Sequence, residues 1–223
     1  MTPGLDTDDG PNLAIARAFV AAGYRSIAGY LGDGANPGWP LGAFSACLAA
    51  GMGLGAYVVP LQPATGSPWA WDAAAARGAW QRAEVLAIRL RLRSVVLRFD
   101  VEESSSAADL EGSLAALALH CRTGRARGHV PVAYGCPAFL GASARLGLDA
   151  PAAIVIAATT ADPGTVGPEP ASGFTLQLDL DGLPPDLYDR PGQRQLQWAD
   201  DVDTCGWLTD RTLDDGHFPL MTR

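Results

Sequence analysis

The chain has 223 residues, 48% of them hydrophobic and 18% charged, enough to bury one sizeable core and within the range of a small α/β barrel. Its formal charge of −8 and pI near 4.7 exclude the broad basic face that phosphate contacts need, so nucleic acid and anionic membrane surfaces are not expected partners. No apolar run approaches the ~18 residues of a spanning helix, so membrane insertion is not expected either.

In chain order, a short strand around Gly4–Asp6 is followed by Thr-Asp-Asp-Gly-Pro, where a cap and a proline announce a helix over Pro11–Gly23. That helix carries Ala16, Phe19, Val20 and Gly23 on one face. Ser26–Leu31 reads as a second strand ending at Tyr30, followed by a Gly/Pro/Asn loop over residues 32–40 and a helix over Leu41–Ala50. Gly55–Leu61 is the third strand, with Gln62 just beyond it, and an Ala-rich helix containing Trp69, Trp71 and Trp80 runs on to Leu90. Strand and helix are alternating.

The stretch Val95–Glu103, Val-Val-Leu-Arg-Phe-Asp-Val-Glu-Glu, organises the rest. In an extended strand Val95, Leu97, Phe99 and Val101 share one face and Val96, Arg98, Asp100 and Glu102 the other. Ser104–Ser106 and Asp109 then read as the cap of a helix with Leu110, Leu114, Leu117 and Cys121 at helical spacing. His129–Tyr134 is a fifth strand and Ala138–Leu146 its helix, completing five βα units. After that the rhythm changes. Ala152–Ala158, Phe174–Leu178 and Gln193–Trp198 read as strands joined by Gly/Pro-containing connections rather than helices. The expected architecture is one α/β domain over residues 1–223, a TIM-like barrel of five βα units closed by three strands.

Strand ends of such a barrel converge on one mouth. Asp6, Asp100 and Glu102 would meet there, and carboxylates two residues apart on one strand lie roughly 6.6 Å apart along it, compatible with either stereochemical class of glycosidase. Glu reaches one methylene further than Asp, so Glu102 is the candidate general acid, with Asp100 held ionised beside it and Asp6 as a third acid. The competing reading is that Asp100 and Glu102 cap the next helix or pair with Arg98. Tyr30, Gln62, Tyr134, Gln197 and Trp198 supply the polar and aromatic groups that a sugar site uses.

The remaining signals point away from other chemistries. The acid runs Asp6, Asp8, Asp9 and Asp200, Asp201, Asp203 do not form an EF-hand loop. His120, His129 and His217 lack metal-ligand spacing, and there is no nucleophile elbow, Walker loop or dinucleotide fingerprint. No metal and no cofactor are expected. Cys47, Cys121, Cys136 and Cys205 have neither the spacing of a zinc site nor the density of a disulfide scaffold; buried thiols are expected, with a Cys136–Cys205 pair open if the protein works outside the cell. The opening residues Met-Thr-Pro-Gly-Leu-Asp show no basic segment followed by an apolar one, so a cytoplasmic product is expected, with the cell wall reached on release or within a virion.

Gly-Leu-Asp-Thr around Asp6, Phe-Asp-Val-Glu over Phe99–Glu102, and the late Gln-Trp followed by Thr-Asp-Arg-Thr around Asp210 resemble a known set. They are similar to the actinobacterial glycoside-hydrolase-like domains of unknown function, which in turn resemble the Chalaropsis-type lysozymes. The resemblance implies a flattened barrel of five βα units closed by three strands, a glycan ligand, and a site formed by Asp6, Asp100, Glu102 and Asp210, with Glu102 as general acid. Arg98 departs from the family, which carries an aromatic or apolar residue at that inward position. Two functions follow as expectations: a muramidase-like hydrolase of peptidoglycan or a related N-acetylated glycan, or a catalytically silent glycan-binding or structural module of a phage tail or cell-envelope assembly.

Overall fold

A computed structural model describes residues 2–32, 38–58, 71–101, 107–157, 193–214 and 216–223, with side chains throughout except those of residues 107–109, 196, 198–202, 208–210 and 213. The strands β1 (Thr2–Asp6), β2 (Ser26–Tyr30), β3 (Gly53–Val58), β4 (Val96–Val101), β5 (Val130–Gly135), β6 (Ala153–Ala157), β7 (Arg194–Asp203) and β8 (Leu208–Asp214) form a closed barrel in sequence order. β1 to β7 pair in parallel, while β8 runs antiparallel to both β7 and β1. The helices α1 (Leu13–Ala21), α2 (Leu41–Ala50), α3 (Ala73–Leu90), α4 (Ala107–Ala126) and α5 (Pro137–Ser143) alternate with the first five strands. Among the described residues, five βα units and three closing strands are thus present, as the pattern predicts. No helix among the described residues is long and apolar enough to cross a membrane.

Local chemistry sets the helix ends. Asn12 caps α1 by accepting from the Ala14 and Ile15 amides at 2.9 and 3.1 Å, so the helix begins two residues later than the proline suggests. Asp72 does the same for α3, accepting from the Ala74 and Ala75 amides at 2.8 Å. Those bonds hold its carboxyl below the usual range. Trp71 therefore precedes the helix instead of belonging to it, and packs edge-on against Phe99 at 5.1 Å.

Between the sheet and the helices, Phe19, Phe44, Leu54, Trp80, Leu97, Phe99, Leu117, Phe139 and Ile154 are fully buried, which is the apolar face that period-two strands and period-3.6 helices present to each other. Trp80 lies in the space left by Gly124, where a methyl group would come within 2.2 Å of the indole, and its Nε1 donates to the His120 carbonyl. His120 stacks on Trp80 and sits at hydrogen-bonding distance from the Leu97 carbonyl; burial pushes its pKa down to about 3, so it stays neutral.

One expectation changes. The third closing strand is Leu208–Asp214, a segment whose Leu-Thr-Asp-Arg-Thr-Leu-Asp sequence looks too polar for a strand until its surroundings are known. Thr212 and Asp214 are both 1% exposed and face a polar barrel interior that also holds Ser26 and Gln195. The candidate strand Phe174–Leu178 lies outside the described residues. The four cysteines are all free: Cys47 and Cys121 are buried, with burial raising both thiols to about 12, while Cys136 is half-buried and Cys205 exposed.

The floor of the barrel is made by the residues after β8. Leu54 and Met221 form an antiparallel bridge, the Arg93 amide donates to the Thr222 carbonyl at 2.9 Å, and the Ser94 hydroxyl donates to the Leu220 carbonyl at 3.3 Å. Phe218 is buried against the barrel interior.

Candidate active site

The mouth is built from strand C-termini. Asp6 ends β1 and is 5% exposed, and Asp100 lies near the end of β4 and is 2% exposed. β4 presents its side chains as alternation requires. Phe99 packs outward on Trp71 and His120, while Arg98 and Asp100 share the inner face.

Tyrosines from three strands fill the space between these acids. Tyr30 of β2 donates to Asp100 Oδ2 at 3.3 Å. Its ring lies 5.5 Å from that of Tyr57, which in turn meets Tyr134 edge-on at 5.6 Å. Tyr134 donates to Oε1 of Gln197 on β7. Asp6, Asp100, Tyr30, Tyr134 and Gln197, all proposed from the sequence, therefore belong to one constellation.

Tyr57 is the member that the sequence reading misses. The apolar run Val58-Val59-Pro60-Leu61 draws the expected strand end on to Gln62, whereas within β3 as described, Gly53–Val58, Tyr57 already meets the rings of Tyr30 and Tyr134. Tyr57 is 1% exposed. Burial raises its hydroxyl well above the ordinary tyrosine value; Arg98 opposes this, while the Asp6 charge, a hydrogen-bonding contact with Asp6 and the Asp100 charge add to it.

Arg98 explains why β3 carries glycine. Its guanidinium donates from Nη1 to the Tyr57 hydroxyl at 2.8 Å and lies between two rings, 5.0 Å from the centre of Tyr57 and 5.4 Å from that of Phe218. A methyl group on Gly55 would come within 2.8 Å of its Cζ and Nε. The side chain turns down toward the barrel floor and makes no ion pair with a carboxylate among the described residues. The expected alternative of Arg98 clamped onto Asp100 is absent.

The segment after Asp6 is held by two distant tryptophans. Trp39 Nε1 donates to the carbonyls of Thr7 and Asp8 at 3.1 and 3.0 Å, and Trp207 Nε1 donates to Thr7 Oγ1 and the Asp9 carbonyl at 3.2 and 3.3 Å. Trp39 seats its indole on Gly29, where a methyl would lie 2.1 Å from it. The strand end bearing Asp6 is thereby fixed from both sides.

The other proposed residues divide in two. Glu102 and Gln62 lie outside the described residues. Trp198 and Asp210 lie on β7 and β8, where only their backbone is described; the Asp210 backbone is in register with Asp6.

No protein-family model and no curated protein sequence matches the chain. Solved structures do. An uncharacterized protein of B. stearothermophilus aligns at TM-score 0.64 and 17% identity over 96% of both chains. A Tat-secreted protein of Mycobacterium tuberculosis in complex with L-tartrate aligns at TM-score 0.64 and 13% identity over 98% of both. A muramidase of Trichobolus zukalii aligns at TM-score 0.59 and 14% identity over 97% of this chain and 94% of its own. At these identities the likeness is one of fold: over nearly its whole length this chain shares the fold of these three proteins, one of which is a muramidase.

Proposed function

We propose that the protein is a muramidase-like glycoside hydrolase acting on peptidoglycan or a related N-acetylated glycan. The observation that carries this reading is the pair of buried acids Asp6 and Asp100 at one barrel mouth, framed by Tyr30, Tyr57 and Tyr134. Aromatic faces bind the apolar faces of sugar rings, and ionised carboxylates stabilise the positive charge that develops at the anomeric carbon. Glu102, two residues beyond Asp100 in the sequence, is the general acid. It donates its proton to the glycosidic oxygen as the bond to the anomeric carbon breaks, and water supplies the hydroxyl that completes hydrolysis.

Asp100, with Tyr30 donating to it, is suited to remain charged next to a protonated partner, since two close carboxylates push each other's pKa values apart. Asp6 adds a second negative charge from across the barrel. Asp210, Gln197 and Trp198 are proposed as further glycan contacts.

A second reading, a glycan-binding or structural module without hydrolysis, is favoured by Arg98. A buried cation two residues from Asp100 favours ionised carboxylates and opposes a protonated acid. The test is release of new reducing ends from purified peptidoglycan by the protein and by Glu102→Gln. Release that falls by about 10²–10⁴-fold in the variant, the range for loss of a general acid, supports the hydrolase. No release from peptidoglycan or from a panel of N-acetylated glycans, with binding retained by both proteins, leaves the second reading.

A further inference from the structure

Arg98 is a permanently charged group with 1% exposure and no carboxylate partner among the described residues. A lone buried cation is costly, and the fold makes specific room for this one by placing glycine at position 55 and the Phe218 ring beneath it. Its hydrogen bond of 2.8 Å goes to the Tyr57 hydroxyl.

A guanidinium only donates, so it occupies a lone pair of the phenolic oxygen and leaves the tyrosine's single proton to point elsewhere. Both a side-chain hydrogen bond with Asp6 and the Asp6 charge act on the Tyr57 phenol. A hydroxyl that accepts from a cation is also a better donor, because successive hydrogen bonds polarise one another.

We propose that Arg98 is a positioning residue for Asp6, acting through the Tyr57 hydroxyl: the cation orients the phenolic proton toward the Asp6 carboxylate and holds that carboxylate charged and directed into the mouth. The inference deepens the hydrolase reading and rests on it for the use to which Asp6 is put. The orienting relay itself is a property of the folded protein, whether or not a glycan is cleaved.

The test is the titration of the Asp6 carboxyl carbon by NMR in protein labelled with ¹³C-aspartate, assigned by loss of the signal in Asp6→Asn. Tyr57→Phe removes only the hydroxyl and keeps the ring packing. Arg98→Met removes the charge, and Arg98→Lys keeps it. Losing a hydrogen bond to the charged form, or a nearby cation, raises a carboxyl pKa. The expected result is an Asp6 midpoint higher by about one unit in Tyr57→Phe and Arg98→Met, with Arg98→Lys close to the parent. In the same variants kcat for glycan release should fall about tenfold with KM unchanged, as for a group that acts in the transition state alone.

An Asp6 midpoint that is the same in all four proteins overturns the relay. A shift in Tyr57→Phe that is absent from Arg98→Met overturns the role given to Arg98. If Arg98→Met does not fold, Tyr57→Phe and Arg98→Lys decide the matter, with the first shifted and the second not. A parent protein that releases no reducing ends sinks the hydrolase reading, while the midpoints still decide the relay.

Discussion

Substituting Gly55 tests whether the barrel interior is built around Arg98. A methyl group at this position meets Arg98 Cζ and Nε at 2.8 Å and the Ala28 Cβ at 2.9 Å, contacts well inside van der Waals distance. Arg98 cannot swing aside, because the rings of Tyr57 and Phe218 flank it at 5.0 and 5.4 Å and its Nη1 is fixed on the Tyr57 hydroxyl. Overpacking a closed core costs about 1–3 kcal/mol, and loss of the Arg98–Tyr57 bond would place Gly55→Ala toward the upper end. Arg98→Ala removes two of the three close contacts and leaves only the one with Ala28. The double variant should therefore recover about 1–2 kcal/mol relative to the sum of the single changes. Urea denaturation of the four proteins, read as free energies at constant m-value, measures this coupling. Effects that add to within about 0.5 kcal/mol would refute the view that Gly55 is kept small for the guanidinium.

Two further outcomes follow from groups outside the mouth. His120 is held neutral with a pKa of about 3 by burial, below its unfolded value of about 6.5. The unfolded chain thus binds the extra proton as pH falls, and this group's contribution is complete above pH ~6.5 and is lost below it by about 1.4 kcal/mol per pH unit until pH ~3. Denaturation from pH 7 to 5 should show a slope that His120→Gln lacks; equal slopes would contradict the assignment. Trp39→Phe removes the donor shared by the Thr7 and Asp8 carbonyls while keeping most of the apolar contact on Gly29. It should cost about 1–3 kcal/mol and speed amide exchange over residues 6–9, a change whose absence would deny the clamp.

Much of the scaffold was legible because it rests on short-range periodicity. In β4 the alternation alone separates Arg98 and Asp100 from Leu97 and Phe99, and Asp6 identifies itself as an acid at the end of a short strand. The features that stayed hidden depend on contacts between distant parts of the chain. Tyr57 was obscured by the apolar residues that follow it in the sequence, which draw the expected strand end on to Gln62. β8 was obscured because its inward residues Thr212 and Asp214 face other polar groups, so the apolar stripe that marks a half-buried strand is missing. Arg98 could be assigned to the inner face from its period, but its choice of Tyr57 over the nearer-in-sequence Asp100 depends on the room left by Gly55. Nothing in local spacing joins Trp39 and Trp207 to Thr7, with the second 200 residues away.

The pairing of β1 with β8, in register from Thr2–Asp214 to Asp6–Asp210, and the floor made by Phe218 and Met221 impose an order on synthesis. A ribosome has to release the segment from Leu208 to Met221 before the strand bearing Asp6 acquires its second neighbour and before Arg98 is covered from below. Until then β1 and β7 offer open edges, and Arg98 is still wet. Barrel closure is consequently a late event with a high sequence separation, which favours slow folding and a need for protection from strand-edge association. Any fragment that ends before Leu208 leaves Asp6 without its β8 partner strand and Arg98 without its floor, so the candidate site arises only with the closed ring.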